Sequence, residues 1–200
     1  MTGSDMTQPA LPRIYLAGPE VFLPNAHEIG AAKQAICAEH GLEGVFPLDG
    51  QLDLDGLPRG EQARRISLAN EGLMYSCAAT IANLTPFRGA AMDSGTAYEV
   101  GFMRALGKPI FGYTNVVADY AARAHAIRDI GLPAGDFDAE GLEVEDFGLA
   151  ENLMIAVAVS ETGPDVVRHA SDVGQVRDDL AGFRQSVVAA ADHFNRDRSP

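Results

Sequence analysis

The chain has 200 residues, 46% of them hydrophobic, so it is long enough to bury one substantial core. Its 15 basic and 28 acidic side chains give a formal net charge of −13, which would repel a polyphosphate chain and argues against nucleic-acid binding. No apolar run reaches the ~18 residues needed to cross a bilayer, so no membrane association is expected. The acidic composition favours a small neutral ligand.

Cysteine and histidine usage predicts neither disulfides nor a metal site. Cys37 and Cys77 form no CxxC motif and no Cys/His spacing typical of zinc, and the five histidines are isolated along the chain. A reducing cytoplasm is therefore the expected location. The first twelve residues have neither a basic start nor an apolar stretch like that of a signal peptide. We interpret 1–12 as a disordered tail and 13–200 as a single domain.

Short apolar runs alternate with helix-like segments from Arg13 onward. The segments predicted as strands are Arg13–Ala17, Val45–Phe46, Ala79–Leu84 and Pro109–Tyr113, with an edge strand at Asp165–Arg168. The segments predicted as helices are Ala26–His40, Gln62–Tyr75, Asp93 to about Leu106, Ala118–Ile130 and Asp172–Phe194. The apolar run Leu153–Val159 is assigned to neither type, and the acidic stretch Asp136–Asp146 is interpreted as a solvated loop.

Strands that alternate with helices pair in parallel through right-handed crossovers. The sequence therefore predicts a single-domain α/β fold, an open parallel sheet of about five strands flanked by helices, of the flavodoxin-like or Rossmann-like kind. In such sheets ligands bind beyond the carboxyl ends of the strands. The segments after Ala17, Phe46, Leu84 and Tyr113 are therefore expected to surround a site.

Two carboxylates follow the third predicted strand. Asp93 stands at a helix start, and Glu99 comes six positions later, less than two helical turns away, between Tyr98 and Val100. Asp93 alone would serve equally as a simple N-cap, and Glu99 as a solvated helix residue. Against the second interpretation, Glu99 has apolar neighbours on both sides, and the nearby glycines allow a ligand or backbone to approach closely.

Four stretches of the chain resemble the nucleoside 2-deoxyribosyltransferases in order and spacing: RIYLAGPEVF, PLDGQ, IANLTPFRG with DSGTAYEVGFMRALGKP, and FGLAENLM. The resemblance extends from about Arg13 to Met154, and DSGTAYEVG after ANLTPFRG is its most specific part. It implies an enzyme that moves 2-deoxyribose between purine or pyrimidine bases, with deoxynucleosides and free nucleobases as substrates and neither cofactor nor metal. Residues 13–200 would then be the catalytic domain.

The resemblance also implies roles for individual residues. Glu99 would be the nucleophile that attacks C1′ of the sugar and holds it covalently, with retention of the β-anomer, and Tyr15 would orient its carboxylate. Asp93 would bind the substrate and assist proton transfer at the base. Asp49 and Gln51 fall where the family contacts the nucleobase.

Further candidates for contacting the substrate lie around the same loops. Gly18 follows the first strand, although it would serve equally as a strand-ending turn. Phe22 would stack on a base or act as a buried apolar anchor. Asn83 lies near the end of the third predicted strand, and Arg88 lies in the loop after it.

Asn152 and Met154 match residues that family members insert into the site of a neighbouring subunit, which implies a homo-oligomer with shared active sites. Some relatives carry an aspartate near the position of Asn70, as a proton donor to the leaving base. Asparagine has no titrating proton, so this role is open here or passes to Asp93.

Two other functions remain compatible with the sequence. A hydrolase acting on deoxynucleoside 5′-monophosphates would need a phosphate site, for which Arg88 and Ser94 are the candidates near the motif. A nucleoside-sensing α/β module would bind in the same crevice without cleavage, but it does not explain Glu99 beside Asp93. A base-exchange assay separates the three, because transfer yields a new nucleoside, hydrolysis yields free sugar and sensing yields neither.

Overall fold

The computed structural model describes residues 10–50, 52–128 and 143–196. Strands within these ranges are β1 (Arg13–Ala17), β2 (Glu43–Val45), β3 (Ala79–Asn83), β4 (Ile110–Thr114) and β5 (Val167–Arg168). Helices within them are α1 (Ala26–Glu39), α2 (Arg59–Ser76), α3 (Ser94–Ala105), α4 (Tyr120–Arg128), α5 (Leu153–Ser160) and α6 (Ala181–Arg196). Short 3-10 helices at Pro19–Phe22 and Pro47–Asp49 follow β1 and β2.

All five strands pair in parallel in the order β2-β1-β3-β4-β5. The predicted open parallel sheet is therefore confirmed, in the flavodoxin-like order. The chain reverses its direction of travel across the sheet between β1 and β3, and a crevice opens at the carboxyl ends of strands that meet in this way. Ala17 pairs with Ala82, so Gly18 and Asn83 lie side by side at this crevice.

Helices cover both faces of the sheet, and each face has its own core. Ile14 and Leu16 of β1 pack with α1 and α6, whereas Tyr15 and Ala17 pack on the opposite face with α2, α3 and α5. A strand buried on both faces must be apolar at nearly every position. This requirement explains why β1 and β3 were recognisable as short continuous apolar runs.

The unassigned apolar run forms α5, and the side chain of Asn152 begins it. Asn152 Oδ1 accepts a hydrogen bond of 3.0 Å from the backbone N–H of Met154, which satisfies one of the free donors at the helix start. The inner face of α5 buries Ala156 and Val159. An apolar run of this length has no periodicity that separates a buried strand from a buried helix.

The C-terminal helix begins at Ala181, so the predicted start at Asp172 is wrong. Asp179 Oδ1 accepts from the backbone N–H of Ala181 at 2.9 Å, and its Oδ2 accepts from Ser171 Oγ at 2.6 Å. The Asp179 carboxylate thus satisfies a free N–H at the start of α6. It also ties that start to Ser171, at the beginning of the segment of turns that precedes the helix. The predicted segments 1–9, 129–130 and 136–142, together with Gln51, lie outside the described residues.

Candidate active site

Tyr15 of β1 and Glu99 of α3 meet where α3 packs on the sheet. The Tyr15 hydroxyl donates a hydrogen bond of 2.6 Å to Glu99 Oε1. Tyr15 is fully buried within β1, whereas Glu99 is partly exposed on α3. The bond fixes one carboxylate oxygen of Glu99 against β1.

The surroundings of Glu99 make its carboxylate hard to ionise. Burial raises the pKa of Glu99 from its usual 4.5 to about 7, the hydrogen bond from Tyr15 opposes this change, and the charges of Asp93 and Glu20 add to it. Burial and the Glu99 charge raise the pKa of Tyr15, so the phenol keeps its proton and acts as a donor. A weakly solvated carboxylate that ionises near neutral pH is suited to nucleophilic attack.

Asp93 is the N-cap of α3, as the sequence predicts. Its Oδ2 accepts from the backbone N–H of Thr96 at 3.0 Å and from Thr96 Oγ1 at 3.2 Å. A Cβ at Gly95 would lie 3.0 Å from the same oxygen, so a side chain there would crowd the capping carboxylate. Capping occupies one carboxylate oxygen, so it is compatible with substrate binding through the other.

Glu20 forms a buried polar network beneath the crevice that the sequence analysis missed. Its Oε1 accepts from Lys33 Nζ, from Asn83 Nδ2 at 2.9 Å and from the Tyr113 hydroxyl at 3.0 Å. Its Oε2 is buried without a hydrogen-bond partner, and a Cβ at Gly18 would lie 1.9 Å from it. A side chain at position 18 would therefore have to displace this carboxylate.

A signal for this network is present in the sequence of α1. Its buried positions follow the helical period and include Ile29, Lys33, Ile36 and Cys37. A lysine in the middle of an apolar face needs a buried anion, and Glu20 is that anion.

Asn83 is part of the Glu20 network. Besides donating to Glu20, Asn83 accepts through Oδ1 from the backbone N–H of Thr85 at 2.9 Å. Both polar ends of the side chain are thus engaged within the protein, in a buried position. This arrangement gives Asn83 a supporting contact within the protein, and its contact with a substrate stays a prediction.

Phe22, Phe87 and Arg88 form an aromatic rim beside the loops at the sheet edge. Phe22 is 54% exposed and stacks on Phe87, with ring centroids 5.5 Å apart and planes inclined by 16°. The Arg88 guanidinium lies 5.2 Å from the Phe22 centroid and 4.7 Å from that of Phe87. Phe22 is thus not a buried anchor. Its exposure leaves aromatic surface available for stacking.

The remaining predicted residues are spread over three elements. Asp49 Oδ2 accepts from the backbone N–H of Phe46 at 2.8 Å and from Gln34 Nε2 at 2.7 Å, beside β2. Asn70 is half-buried on α2. Asn152 Nδ2 donates to Glu145 Oε2 at 2.7 Å, and Met154 projects into solvent with 71% exposure.

The described residues contain no group of three or more His, Cys, Asp or Glu side chains that could hold a metal ion. Among the same residues, no helix is long and apolar enough to cross a membrane.

The fold and its site define an α/β protein with a flavodoxin-like sheet and a carboxylate, Glu99, that is hydrogen-bonded to a buried tyrosine of that sheet. A family profile described as nucleoside 2-deoxyribosyltransferase matches residues 14–154. The chain belongs to the nucleoside 2-deoxyribosyltransferase family. Membership supports a glycosyl-transfer enzyme with nucleoside deoxyribosyltransferase-like function.

Individual proteins are similar to this chain in sequence or in fold. An uncharacterized protein of Schizosaccharomyces pombe is 37% identical over 158 residues, covering 72% of this chain and 75% of the relative. The structure of a 2-deoxyribosyltransferase from Leishmania mexicana matches with a TM-score of 0.56 and 28% identity, over 88% of this chain and 97% of that one. A conserved protein from Enterococcus faecalis shares the fold, with a TM-score of 0.51 and 18% identity over 84% of this chain and 97% of its own.

Proposed function

We propose that this protein transfers 2-deoxyribose between purine or pyrimidine bases by double displacement, through a covalent deoxyribosyl–Glu99 intermediate and with retention of the β-anomer. The observation that carries the proposal is the 2.6 Å hydrogen bond from Tyr15 to Glu99. It orients a poorly solvated carboxylate at the crevice of the sheet, in a chain that belongs to the deoxyribosyltransferase family.

The reaction has two balanced steps. In the first, Glu99 Oε2 attacks C1′ as the C1′–N bond breaks, and the bonding electrons leave with the base, which takes up a proton. In the second, a nitrogen of another base attacks C1′ from the opposite face, loses its proton and displaces the Glu99 carboxylate. Each step inverts C1′, so the pair restores the β-anomer, as in retaining glycoside hydrolysis.

The neighbouring residues would divide the remaining tasks. Tyr15 stabilises and orients the carboxylate through Oε1, and the second oxygen of Asp93 is available to bind the sugar or to exchange protons with the base. Asn70 supplies no titrating proton. Phe22 would stack on the base, and Asp49 and Gln51 would contact its edge.

The sugar preference follows from the transition state. Breaking the N-glycosidic bond places positive charge on C1′, and a 2′-hydroxyl withdraws electrons from that carbon and crowds the approach of Glu99. A 2-deoxyribosyl group avoids both effects. The substrates would therefore be 2′-deoxynucleosides and free bases, and each step needs no cofactor or metal.

The active sites would be shared between subunits of a homo-oligomer. This part of the proposal is supported by α5, on which Met154 is 71% and Val157 44% exposed. Apolar side chains with this exposure are suited to burial against a second subunit. Asn152 and Met154 would then complete the sugar site of the neighbour.

Base exchange measured by chromatography tests the proposal. The protein is incubated with a deoxynucleoside and a different free base, and the new deoxynucleoside is quantified. Glu99→Ala should lose at least about 100-fold of the transfer rate, equivalent to ~3 kcal/mol of transition-state stabilisation. Glu39→Ala is the matched control, because Glu39 is an exposed glutamate of α1.

Intact-mass measurement supplies the second readout. Wild-type protein mixed with a deoxynucleoside should gain the mass of one deoxyribosyl group, and Glu99→Ala should not. If Glu99→Ala retains more than about a hundredth of wild-type transfer, Glu99 is not the nucleophile. Release of free deoxyribose without a new nucleoside would instead assign a hydrolase.

A further inference from the structure

Arg123 of α4 is nearly fully buried and joins three loop segments. Its Nε donates to the carbonyl of Ala90 at 2.9 Å, and its Nη1 donates to the carbonyls of Ala118 at 2.7 Å and Ala150 at 2.9 Å. Its Nη2 donates to Glu151 Oε2 at 2.9 Å. A guanidinium has five N–H donors in a rigid planar fork, and these four hydrogen bonds engage most of them.

Glu151 extends the connection to two backbone amides next to predicted site residues. Its Oε2 accepts from the N–H of Met92 at 3.2 Å, and its Oε1 accepts from the N–H of Asn152 at 3.0 Å. Met92 directly precedes Asp93, the N-cap of α3, and Asn152 is the N-cap of α5. We refer to Arg123 and Glu151 together as the loop clamp.

The loop clamp is a costly way to stabilise a fold. Both side chains are less than 10% exposed, and burial lowers the pKa of Arg123 and raises the pKa of Glu151. Apolar residues of similar volume often stabilise a core as well as a buried ion pair does. They would not, however, tie three carbonyls and two amides of separate loops into one geometry. Fixed loop geometry is therefore what the charged pair provides.

We propose that Arg123 and Glu151 are positioning residues that hold the loop of Asp93 and the loop of Asn152 in one fixed arrangement. The inference rests on the proposed function, because it assigns substrate binding to both loops. Glu99 is held separately, by Tyr15. Loosening the loop clamp should therefore weaken substrate binding more than it changes the reactivity of Glu99.

Steady-state kinetics of Glu151→Gln and Arg123→Lys test this separation. Glu151→Gln keeps the side-chain shape but removes the charge, and Arg123→Lys keeps the charge but cannot reach all of the carbonyls. The KM for the deoxynucleoside should rise by about tenfold, the effect expected when a hydrogen bond to the substrate is lost. Turnover per active site, counted from the covalent deoxyribosyl label, should change less than KM.

Glu39→Gln is the matched control, because it neutralises an exposed ion pair with Arg184. Its KM should stay within about twofold of wild type. A purely structural role would lower the labelled fraction of the loop-clamp variants and leave KM unchanged, and that result would overturn the proposal. Wild-type protein without any exchange activity would refute the proposed function, and the positioning role would fall with it.

Hydrogen exchange of the wild-type protein tests the loop clamp even if both variants fail to fold. The amides of Met92 and Asn152 are bonded to the same carboxylate, so they should become exposed in one opening event. Their free energies of exchange should agree at each urea concentration below the unfolding transition. Distinct values for the two segments would show that the loops open independently, and would overturn the proposal.

Discussion

Replacing Glu99 by glutamine is expected to stabilise the folded protein above neutral pH while it abolishes base exchange. The pKa of Glu99 is raised by burial to about 7, compared with 4.5 for an ordinary glutamate. Between these values the folded chain keeps a proton that the unfolded chain has released. Because the folded state binds more protons there, its stability falls as the pH rises from 4.5 to about 7.

The size of this stability effect follows from the difference between the two pKa values of Glu99. At 1.36 kcal/mol per pH unit, ionising Glu99 in the folded state costs about 3 kcal/mol relative to the unfolded chain. The cost is absent below pH 4.5 and complete once the pH exceeds about 7. Glutamine has the shape of the neutral carboxyl group, can still accept from Tyr15 and does not titrate. Glu99→Gln should therefore match wild type near pH 4 and exceed it by about 3 kcal/mol near pH 8.

Urea unfolding at a series of pH values measures this difference. Comparing the variant with wild type at each pH cancels the titration of all other groups, and Glu39→Gln controls for removal of an exposed carboxylate. A stability difference between Glu99→Gln and wild type that does not change between pH 4 and pH 8 would refute the reasoning. It would mean that Glu99 is solvated well enough to ionise normally.

Three further outcomes are expected. Tyr15→Phe removes the hydrogen bond that lowers the pKa of Glu99, so the acid limb of the pH–rate profile should move to higher pH. Activity at pH 7 should fall about tenfold. An acid limb that does not move would contradict the role of Tyr15 in setting the pKa of Glu99. Deoxyadenosine should be turned over much faster than adenosine, and equal rates would point to a general nucleoside hydrolase. Mixing inactive Glu99→Ala and Asn152→Ala subunits should restore some activity, because a mixed interface can hold one intact site. Subunit exchange that is visible by mass but restores no activity would place Asn152 in its own chain's site or in packing alone.

The strands and the starts of α1 and α3 could be predicted because each depends on local information. β1 was predicted with the bounds that the structure gives it, since burial on both faces requires a continuous apolar run. The start of α3 was predictable from Asp93, whose side chain caps the helix. The start of α6 was not, because it depends on Asp179 and its contact with Ser171, and the sequence does not indicate that contact.

The desolvation of Glu99 could be predicted only in part from its neighbours in the sequence. Apolar neighbours in the chain suggested desolvation, but the side chain of Tyr98 points to solvent and is 54% exposed, with its hydroxyl bonded to Glu71. The desolvation arises where α3 packs on the sheet, and Glu20 contributes to the raised pKa from the loop after β1. Contacts between distant segments of this kind leave no periodicity in the sequence.

The attachment of the candidate residues to the fold has a consequence for how relatives of this protein can diverge. Tyr15 and Glu99 belong to a central strand and its covering helix, and the hydrogen bond between them needs both elements in register. Phe22 and Arg88 lie on exposed connections outside the sheet. Mutations at such connections change a surface without disturbing the core. Under the proposed function, substitutions at these connections would change the base preference and leave the contact between Tyr15 and Glu99 intact.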